Sequence, residues 1–139
     1  MCFKPMINDI TTTPEAPPAF SGAAGPYPPG NAAVQRCAYP DLAPLALAFL
    51  PGECFKRAAA AARAMPRWEV AAEDPGSGRI EAVATTLLLR YKDDIVIEVR
   101  PAPGGCAVHM RSKSRLGRGD FGANAKRIRA YLAALAGTP

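Results

Sequence analysis

The residues best suited to chemistry lie near the C-terminal end of the chain, where positive charge is concentrated. Residues 111–131 hold one acid, Asp120, and seven basic residues: Arg111, Lys113, Arg115, Arg118, Lys126, Arg127 and Arg129. This segment carries a net charge of +6, whereas the whole chain of 139 residues carries +5. Guanidinium groups bind carboxylate and phosphate through paired hydrogen bonds. The charge pattern therefore predicts a local site for an anionic group.

A glycine-rich turn lies within this basic segment. Gly117, Gly119 and Gly122 match the spacing G-x-G-x-x-G, but only seventeen residues follow Gly122, too few for a dinucleotide-binding unit. A glycine turn before a helix still leaves backbone N–H groups that favour an anion. We expect a carboxylate, phosphate or lipid headgroup near six residues: Arg111, Lys113, Arg115, Gly117, Gly119 and Arg127. The alternative is a solvated sheet face with glycines that serve a tight turn.

A polar stripe borders the apolar face of the last predicted helix. A rotation of about 100° per residue places Asp120, Asn124 and Arg127 in line, near the strand end that carries Ser112 and Ser114. We interpret these residues as a polar network that fastens the helix to the sheet, with Asp120 paired to an arginine. Asp120 is also the predicted N-cap of this helix.

The alternative to a binding domain is a small hydrolase or isomerase. It would use Asp93, Asp94 or Asp120 as acid and base, with an arginine holding the substrate. Adjacent strand residues point to opposite faces, so Asp93 and Asp94 would cooperate only from a turn. The single histidine, His109, has no second histidine beside it to act with. We expect no catalytic residue, no metal and no cofactor, and a partner-docking protein would instead show a large exposed apolar patch.

The four cysteines are Cys2, Cys37, Cys54 and Cys106. Their spacing, with a single histidine in the chain, excludes a zinc site of the usual kind. An oxidising compartment would allow disulfides, and four cysteines allow three connectivities. The expectation from the sequence is buried free thiols, with a structural disulfide as the alternative.

Membrane-spanning and nucleic-acid-binding functions find little support in the composition. The longest apolar run, residues 42–50, is broken by Pro44, whereas a spanning helix needs about 20 residues. The N-terminus lacks the pattern of a signal peptide. Aromatic residues make up only 7% of the chain, which argues against a stacking surface for nucleic acid.

A helix, four strands and a second helix are predicted to position the candidate residues. Residues 51–65 and 121–136 show helical periodicity, and the second helix would bury Phe121, Ile128 and Leu132. Strands are predicted at 67–73, 79–91, 95–100 and 106–114, with a hairpin turn at 92–94. Connections of hairpin length make the sheet antiparallel. We expect an α+β fold, a four-stranded antiparallel sheet with two helices on one face.

The N-terminal third of the chain has a different composition. Ten of the fifteen prolines lie within residues 1–51, where they interrupt backbone hydrogen bonding. Because apolar residues recur between them, we predict that residues 1–50 form an extended strap over the surface rather than a disordered tail. The expected organisation is a single domain, 1–139, made of this strap and a core of residues 51–139.

Several segments resemble a known family. They include Ile-Asn-Asp-Ile-Thr-Thr at 7–12, residues 17–20, 39–42, 79–82, 85–86 and 93–97, and the long run Arg-Ser-Lys-Ser-Arg-Leu-Gly-Arg-Gly-Asp-Phe-Gly-Ala-Asn-Ala-Lys-Arg-Ile at 111–128. The chain is similar, over nearly its whole length, to the bacterial and plastid domain of unknown function numbered 1499. The resemblance implies that residues 1–50 belong to the domain, and it implies no activity.

The resemblance also bears on location. Members of the family often carry membrane-spanning segments or plastid targeting signals, so it implies a cell-envelope location, with a cytoplasmic one as the alternative because the sequence shows neither feature. Our prediction is a non-enzymatic binding or accessory domain that holds an anionic small molecule or membrane headgroup at the basic strand, glycine loop and helix.

Overall fold

The computed structural model describes residues 2 and 5–139. Within them the elements are β1 (Asp9–Thr11), α1 (Asn31–Ala38), β2 (Leu45–Leu47), α2 (Pro51–Ala64), β3 (Trp68–Asp74), β4 (Arg79–Thr85), β5 (Lys92–Ala102), β6 (Gly105–Ser114) and α3 (Ala123–Ala136). The sheet order is β1-β6-β5-β4-β3, and β2 pairs with β6 beside β1. Every pairing is antiparallel. The predicted α+β class is confirmed.

Helices α2 and α3 cover one face of the sheet. Alternate residues of the strands point toward them and form the core with apolar helix residues; the members include Ile80, Ile95, Ile97, Val108 and Met110 from strands and Phe55, Ala58, Ala62, Ile128 and Leu135 from helices. Tyr131 stacks on Trp68 with ring centroids 5.3 Å apart. Its hydroxyl donates to the carbonyl of Ala58 at 2.7 Å, and burial raises the pKa of Tyr131. Apart from Phe121, the apolar residues predicted to pack from α3 into the core do so.

The described chain has six strands and three helices, so the predicted four strands and two helices were too few. The additional elements β1, α1 and β2 all lie in the segment expected to be extended throughout. Proline interrupts hydrogen bonding only locally, and residues 31–38 contain none, which leaves room for two turns of helix. β1 and β2 satisfy backbone groups along the edge of β6 that would otherwise be unpaired.

The connection between β4 and β5 lies at residues 86–91, so the hairpin turn predicted at 92–94 was wrong. Those residues begin β5 instead. Thr86 closes the loop, because its N–H donates to the Tyr91 carbonyl and its hydroxyl accepts from the Tyr91 N–H, both at 2.8 Å. Arg90 adopts a left-handed conformation with φ of 58°. Two adjacent aspartates are typical of a turn. Asp93 and Asp94 lie in the strand instead, because each carboxylate has an arginine partner there.

α3 begins at Ala123, and Phe121, predicted on its core face, is 97% exposed. Gly122 and Phe121 are both left-handed, with φ of 81° and 53°. This turn takes Phe121 off the helical face, so the periodicity does not apply to it. Asp120 lies two residues before the position that caps the helix, yet its carboxylate accepts the N–H groups of Gly122 at 2.8 Å and Asn124 at 3.1 Å.

The four cysteines form two disulfides, Cys2–Cys37 and Cys54–Cys106, so the expectation of free thiols was wrong. The second bond joins α2 to β6 inside the core, where both residues are almost fully buried. Burial is common to core thiols and structural disulfides. Pairing requires Cα atoms within about 7 Å, which depends on the tertiary fold and not on local sequence.

Candidate functional site

Arg111 and Lys113 of the predicted anion site fasten the N-terminal segment to the sheet face opposite α2 and α3. The Arg111 guanidinium donates to both carboxylate oxygens of Asp9, at 2.9 and 2.8 Å, and the two side chains are 2% and 1% exposed. It also donates to the Pro18 and Gly25 carbonyls at 3.1 and 3.0 Å. Lys113 donates to the carbonyl of Ala24. Arg111 is therefore fully used by the protein itself.

Two aromatic rings complete the surroundings of Arg111. Its guanidinium carbon lies 4.6 Å from the ring centre of Phe20 and 5.9 Å from that of Tyr27, within the range of a cation–π contact. Burial, assisted by the negative charge of Asp9, raises the pKa of Tyr27 to about 12. The arrangement has the features of a structural anchor for the N-terminal segment.

The polar network predicted between α3 and β6 is present in the structure. Ser112 donates to the Asn124 side-chain oxygen at 2.6 Å, and the Asn124 amide donates to Ser114 at 2.9 Å. Arg127 donates to Ser112 at 3.2 Å and to Asn124 at 2.9 Å. Its ion-pair partner is the buried Asp93, at 2.8 Å. The ion pair with an arginine that was expected for Asp120 is thus formed by Asp93 instead.

Arg115 lies at the edge of a polar cavity on the outer face of the sheet. Its guanidinium pairs with the Asp94 carboxylate at 2.8 Å, which raises the pKa of Arg115. The cavity has a volume of about 480 Å³, and its charged lining residues are Lys113, Arg115, Glu81 and Asp94. Two carboxylates offset two cations here, so the cavity presents no net positive charge to a ligand.

The six residues of the predicted anion site do not converge on one point. Arg111 and Lys113 lie on the outer face of β6 under the N-terminal segment, whereas Arg127 lies on α3, which packs on the opposite face. Gly117 and Gly119 lie in the loop that follows β6 and line a separate groove. Since side chains of a strand alternate between faces, residues two apart in the basic segment share a face, but neighbours do not.

The three carboxylates of the hydrolase or isomerase alternative each have a protein partner. Asp93 pairs with Arg127, Asp94 pairs with Arg115 on the opposite face, and Asp120 accepts the backbone N–H groups at the start of α3. A general acid or base requires a carboxyl group whose proton is exchangeable with substrate. Each of the three is instead held as a hydrogen-bond acceptor within the fold.

His109 lies on the outer face of β6, away from these carboxylates. Its Nδ1 is 2.5 Å from the hydroxyl of Thr13. Burial, assisted by the positive charge of Arg100, lowers the pKa of His109. Among the described residues, no group of three His, Cys, Asp or Glu side chains is placed to hold a metal ion, and no helix is long and apolar enough to cross a bilayer.

The most distinctive surface feature is a groove between two loops, residues 86–91 and 115–122, which we call the loop groove. It has a volume of about 580 Å³, within the range of small-molecule sites. Its lining is mainly apolar and comprises Thr86, Leu88, Leu89, Tyr91, Asp93, Ser114, Leu116, Gly117, Gly119, Asp120, Phe121 and Ala123. On the far side of Phe121 lies a second cavity of about 310 Å³, bounded by Met6 and Tyr39.

Large apolar side chains on both loops project into solvent. The exposed fractions are 65–97% for Leu87, Leu88, Leu89, Leu116 and Phe121. Contiguous exposed apolar surface is uncommon on a soluble domain unless it serves binding. An exposed apolar patch is the feature expected of a partner-docking protein, although the sequence did not indicate where such a patch would lie.

Basic side chains accompany the apolar ones on the same loops. Arg90 and Arg118 are exposed, and within the described residues neither has an ion-pair partner. Lys92, the first residue of β5, and Arg115, which pairs with Asp94, are exposed as well. The nearby acids Asp93 and Asp120 point into the structure and are bound there. The loop groove therefore has apolar walls and a polar floor that is internally satisfied, and its two loops carry the exposed arginines Arg90 and Arg118, which we call the basic rim.

The leucines and the phenylalanine of the groove were predicted in other environments, whereas Gly117 and Gly119 were predicted in a loop and lie in one. The run Leu87-Leu88-Leu89 was included in a long strand, and Phe121 was assigned to the core. One signal was present in the sequence: three consecutive leucines break the alternation expected of a half-buried strand, between Thr86 and Arg90. Such a run is consistent with a buried strand as well, so composition alone does not reveal its exposure.

Comparison with known proteins identifies the family of the chain. The model of the family described as "Protein of unknown function (DUF1499)" matches residues 9–135 of the chain. No curated protein matches the chain. The matched residues include both loops of the groove and the whole polar network, so these features lie inside the region on which the family match rests.

Proposed function

The chain belongs to the DUF1499 family, and we propose that it is a non-enzymatic binding domain for an amphiphile, a molecule with an apolar chain and an anionic head group. The chain of the ligand lies in the loop groove, and the head group lies at the basic rim. The observation that carries this proposal is the set of large apolar side chains on two adjoining loops, Leu88, Leu89, Leu116 and Phe121, which are exposed to 69–97% around a groove of about 580 Å³.

The apolar walls supply the driving force for binding. Leu88, Leu89, Leu116 and Phe121 all line the groove while remaining largely exposed. Removing one such side chain fully from water contributes about 1.5–3 kcal/mol, part of which is offset by the entropy lost on association. An unbranched hydrocarbon chain matches this lining, because the polar groups at the floor already have protein partners and offer few contacts to a polar ligand.

The rim favours a negatively charged head group. Arg118 stands between Gly117 and Gly119, whose lack of side chains lets a ligand approach the backbone of this loop. Arg90 on the opposite loop carries a second unpaired guanidinium among the described residues. Guanidinium groups bind carboxylate and phosphate alike, so the proposal covers fatty acids and phospholipids as one class of ligand. It retains the anion of the sequence prediction and the glycine loop with Gly117 and Gly119, but it leaves out Arg111, Lys113 and Arg127, which bind other parts of the protein.

The hydrolase or isomerase alternative has weaker support. It would require one of the three carboxylates to leave a protein partner, and for Asp93 that partner is the buried guanidinium of Arg127. Separating a buried pair is unfavourable by several kcal/mol. The binding proposal needs no such rearrangement, since the groove is open in the structure.

The test is displacement of cis-parinaric acid, a fluorescent fatty acid, from the purified protein. Three competitors separate the parts of the proposal: oleate has chain and charge, oleyl alcohol has the chain alone, and inorganic phosphate has charge alone. We expect oleate to displace the probe best, oleyl alcohol to displace it less well, and phosphate to leave it bound. A folded protein that does not bind the probe overturns the proposal.

Variants locate the bound probe. Ala123→Phe fills the groove, and Leu89→Ser removes one wall, so each should weaken probe binding about 10- to 100-fold. Leu50→Ser is the matched control, because Leu50 is 80% exposed at the start of α2 and does not line the groove. If the control weakens binding as much as the groove variants do, the probe binds elsewhere and the groove assignment is wrong.

A further inference from the structure

We infer that the edge of the protein that carries the loop groove docks on the surface of an anionic membrane, so that the groove opens toward the bilayer. This inference rests on the proposed function and adds the source of the ligand. It is carried by an observation that the groove does not explain. Leu87 lies on the 86–91 loop and is 65% exposed, yet it does not line the groove.

The apolar surface of this edge is thus larger than one bound ligand requires. Leu87 and Leu88 are consecutive residues at the tip of the 86–91 loop, and both project into solvent. A chain lying in the groove would cover Leu88 and leave Leu87 in water. Insertion of the loop tips among lipid headgroups removes both from water, and each side chain contributes in proportion to the apolar area buried.

The charges of this edge are complementary to anionic lipid. Arg90 follows the leucines on one loop and Arg118 follows Leu116 on the other, and neither guanidinium has an ion-pair partner among the described residues. Lysine and arginine side chains near an anionic bilayer are attracted to its headgroups, and long basic side chains reach the headgroups while their neighbours insert. Apolar tips surrounded by basic residues are typical of proteins that bind membrane surfaces.

The loops hold these side chains outward without needing the membrane to order them. The 86–91 loop is closed by the two hydrogen bonds between Thr86 and Tyr91. The 115–122 loop is held by Asn8, whose side-chain amide donates to the Gly117 carbonyl at 2.6 Å, and by the hydrogen bonds of Asp120. A preorganised loop loses little entropy on docking.

A second copy of this chain is a less suitable occupant of the edge. In a twofold dimer the same patch of both copies forms the interface, so the unpaired Arg90 and Arg118 of one copy would be brought into one interface with those of the other. Like charges brought together at an interface are unfavourable. An anionic lipid surface covers the same leucines and neutralises the same cations.

The test is flotation of the protein with vesicles of phosphatidylcholine alone and of phosphatidylcholine mixed with phosphatidylglycerol. We expect binding to the mixed vesicles, weaker binding to phosphatidylcholine, and loss of binding as salt screens the charges. Leu87→Glu should weaken vesicle binding by about tenfold or more, whereas Leu50→Glu, the matched change at another exposed leucine, should not. Both variants should keep the melting temperature of the wild type, since both leucines are exposed.

The failure of this inference is distinguishable from failure of the proposed function. Ala123→Phe should lose cis-parinaric acid and keep vesicle binding, whereas Leu87→Glu should do the reverse. Wild-type protein that binds the probe but does not float with anionic vesicles overturns the docking inference alone. Equal effects of Leu87→Glu and Leu50→Glu on flotation overturn it as well, as does a stable dimer in light scattering that Leu87→Glu dissociates.

Discussion

The buried ion pair between Arg111 and Asp9 allows a quantitative test of how the N-terminal segment is attached. Arg111→Ala removes both hydrogen bonds to the Asp9 carboxylate, both donated to the carbonyls of Pro18 and Gly25, and the stacking on Phe20. It also leaves the Asp9 carboxylate, 1% exposed, without its counter-charge. We expect Arg111→Ala to be among the most destabilising single substitutions in the protein.

The magnitude follows from the burial of both partners. Removing one partner of a buried ion pair lowers the free energy of unfolding by about 3–5 kcal/mol, a large part of the 5–15 kcal/mol typical of a domain. For a chain of this length the loss corresponds to a melting temperature lower by about 10–20 °C. Arg111→Lys keeps the charge but not the paired geometry, so its effect should be intermediate.

The assay is urea unfolding followed by the fluorescence of Trp68, with Arg115→Ala as the matched control. Arg115 directly follows β6 and also pairs with an aspartate, Asp94, but the two side chains are 46% and 24% exposed. Its loss should therefore lower the free energy of unfolding by less than about 1 kcal/mol. Asp9→Asn combined with Arg111→Ala should be less destabilising than the sum of the single changes. Equal effects of Arg111→Ala and Arg115→Ala would refute the reasoning.

Three further predictions concern single features of the fold. Replacing Cys54 and Cys106 together by alanine should lower the free energy of unfolding by about 4 kcal/mol, because the bond closes a loop of 52 residues in the chain; urea unfolding with and without reductant checks this, and an unchanged midpoint would contradict it. Burial and the charge of Arg100 lower the pKa of His109 in the folded state, so the unfolded state binds the additional proton and stability should fall as pH drops below about 6.5, the ordinary histidine value. Comparison with His109→Asn across this pH range isolates the contribution, and identical pH profiles would contradict it. Phe121→Ser should change the melting temperature of the free protein little, because the ring is 97% exposed. Replacing a core phenylalanine by a small residue would instead lower the free energy of unfolding by about 3–5 kcal/mol.

Local periodicity was enough to predict the elements that build the core. α2 and α3 were recognised because apolar residues recur on one helical face, and β6 because its side chains alternate. The position of Ser112 and Ser114 facing α3 followed from the same alternation, and both serines belong to the network with Asn124. These predictions succeed because each depends on residues close together in the chain.

Features that depend on distant residues were not predictable in the same way. Arg111 finds Asp9 across 102 positions of sequence, so the sequence indicated a free cation where the structure has a buried pair. The N-terminal elements β1 and β2 form because β6 offers an unpaired edge, a condition that local composition does not express. The leucines of the 86–91 loop are the converse case, since apolar residues that indicate burial are exposed on a loop.

The most direct test of the proposed binding site is a titration of the isotope-labelled protein with oleate, followed by NMR of the backbone amides. Binding in the loop groove should change the chemical shifts of the amides of residues 86–91 and 116–122 and of the start of α3. The amide shifts of Ala23, Ala24 and Lys113 around the outer cavity should stay unchanged. Shifts confined to the outer cavity, or no shifts at all in the folded protein, would contradict it.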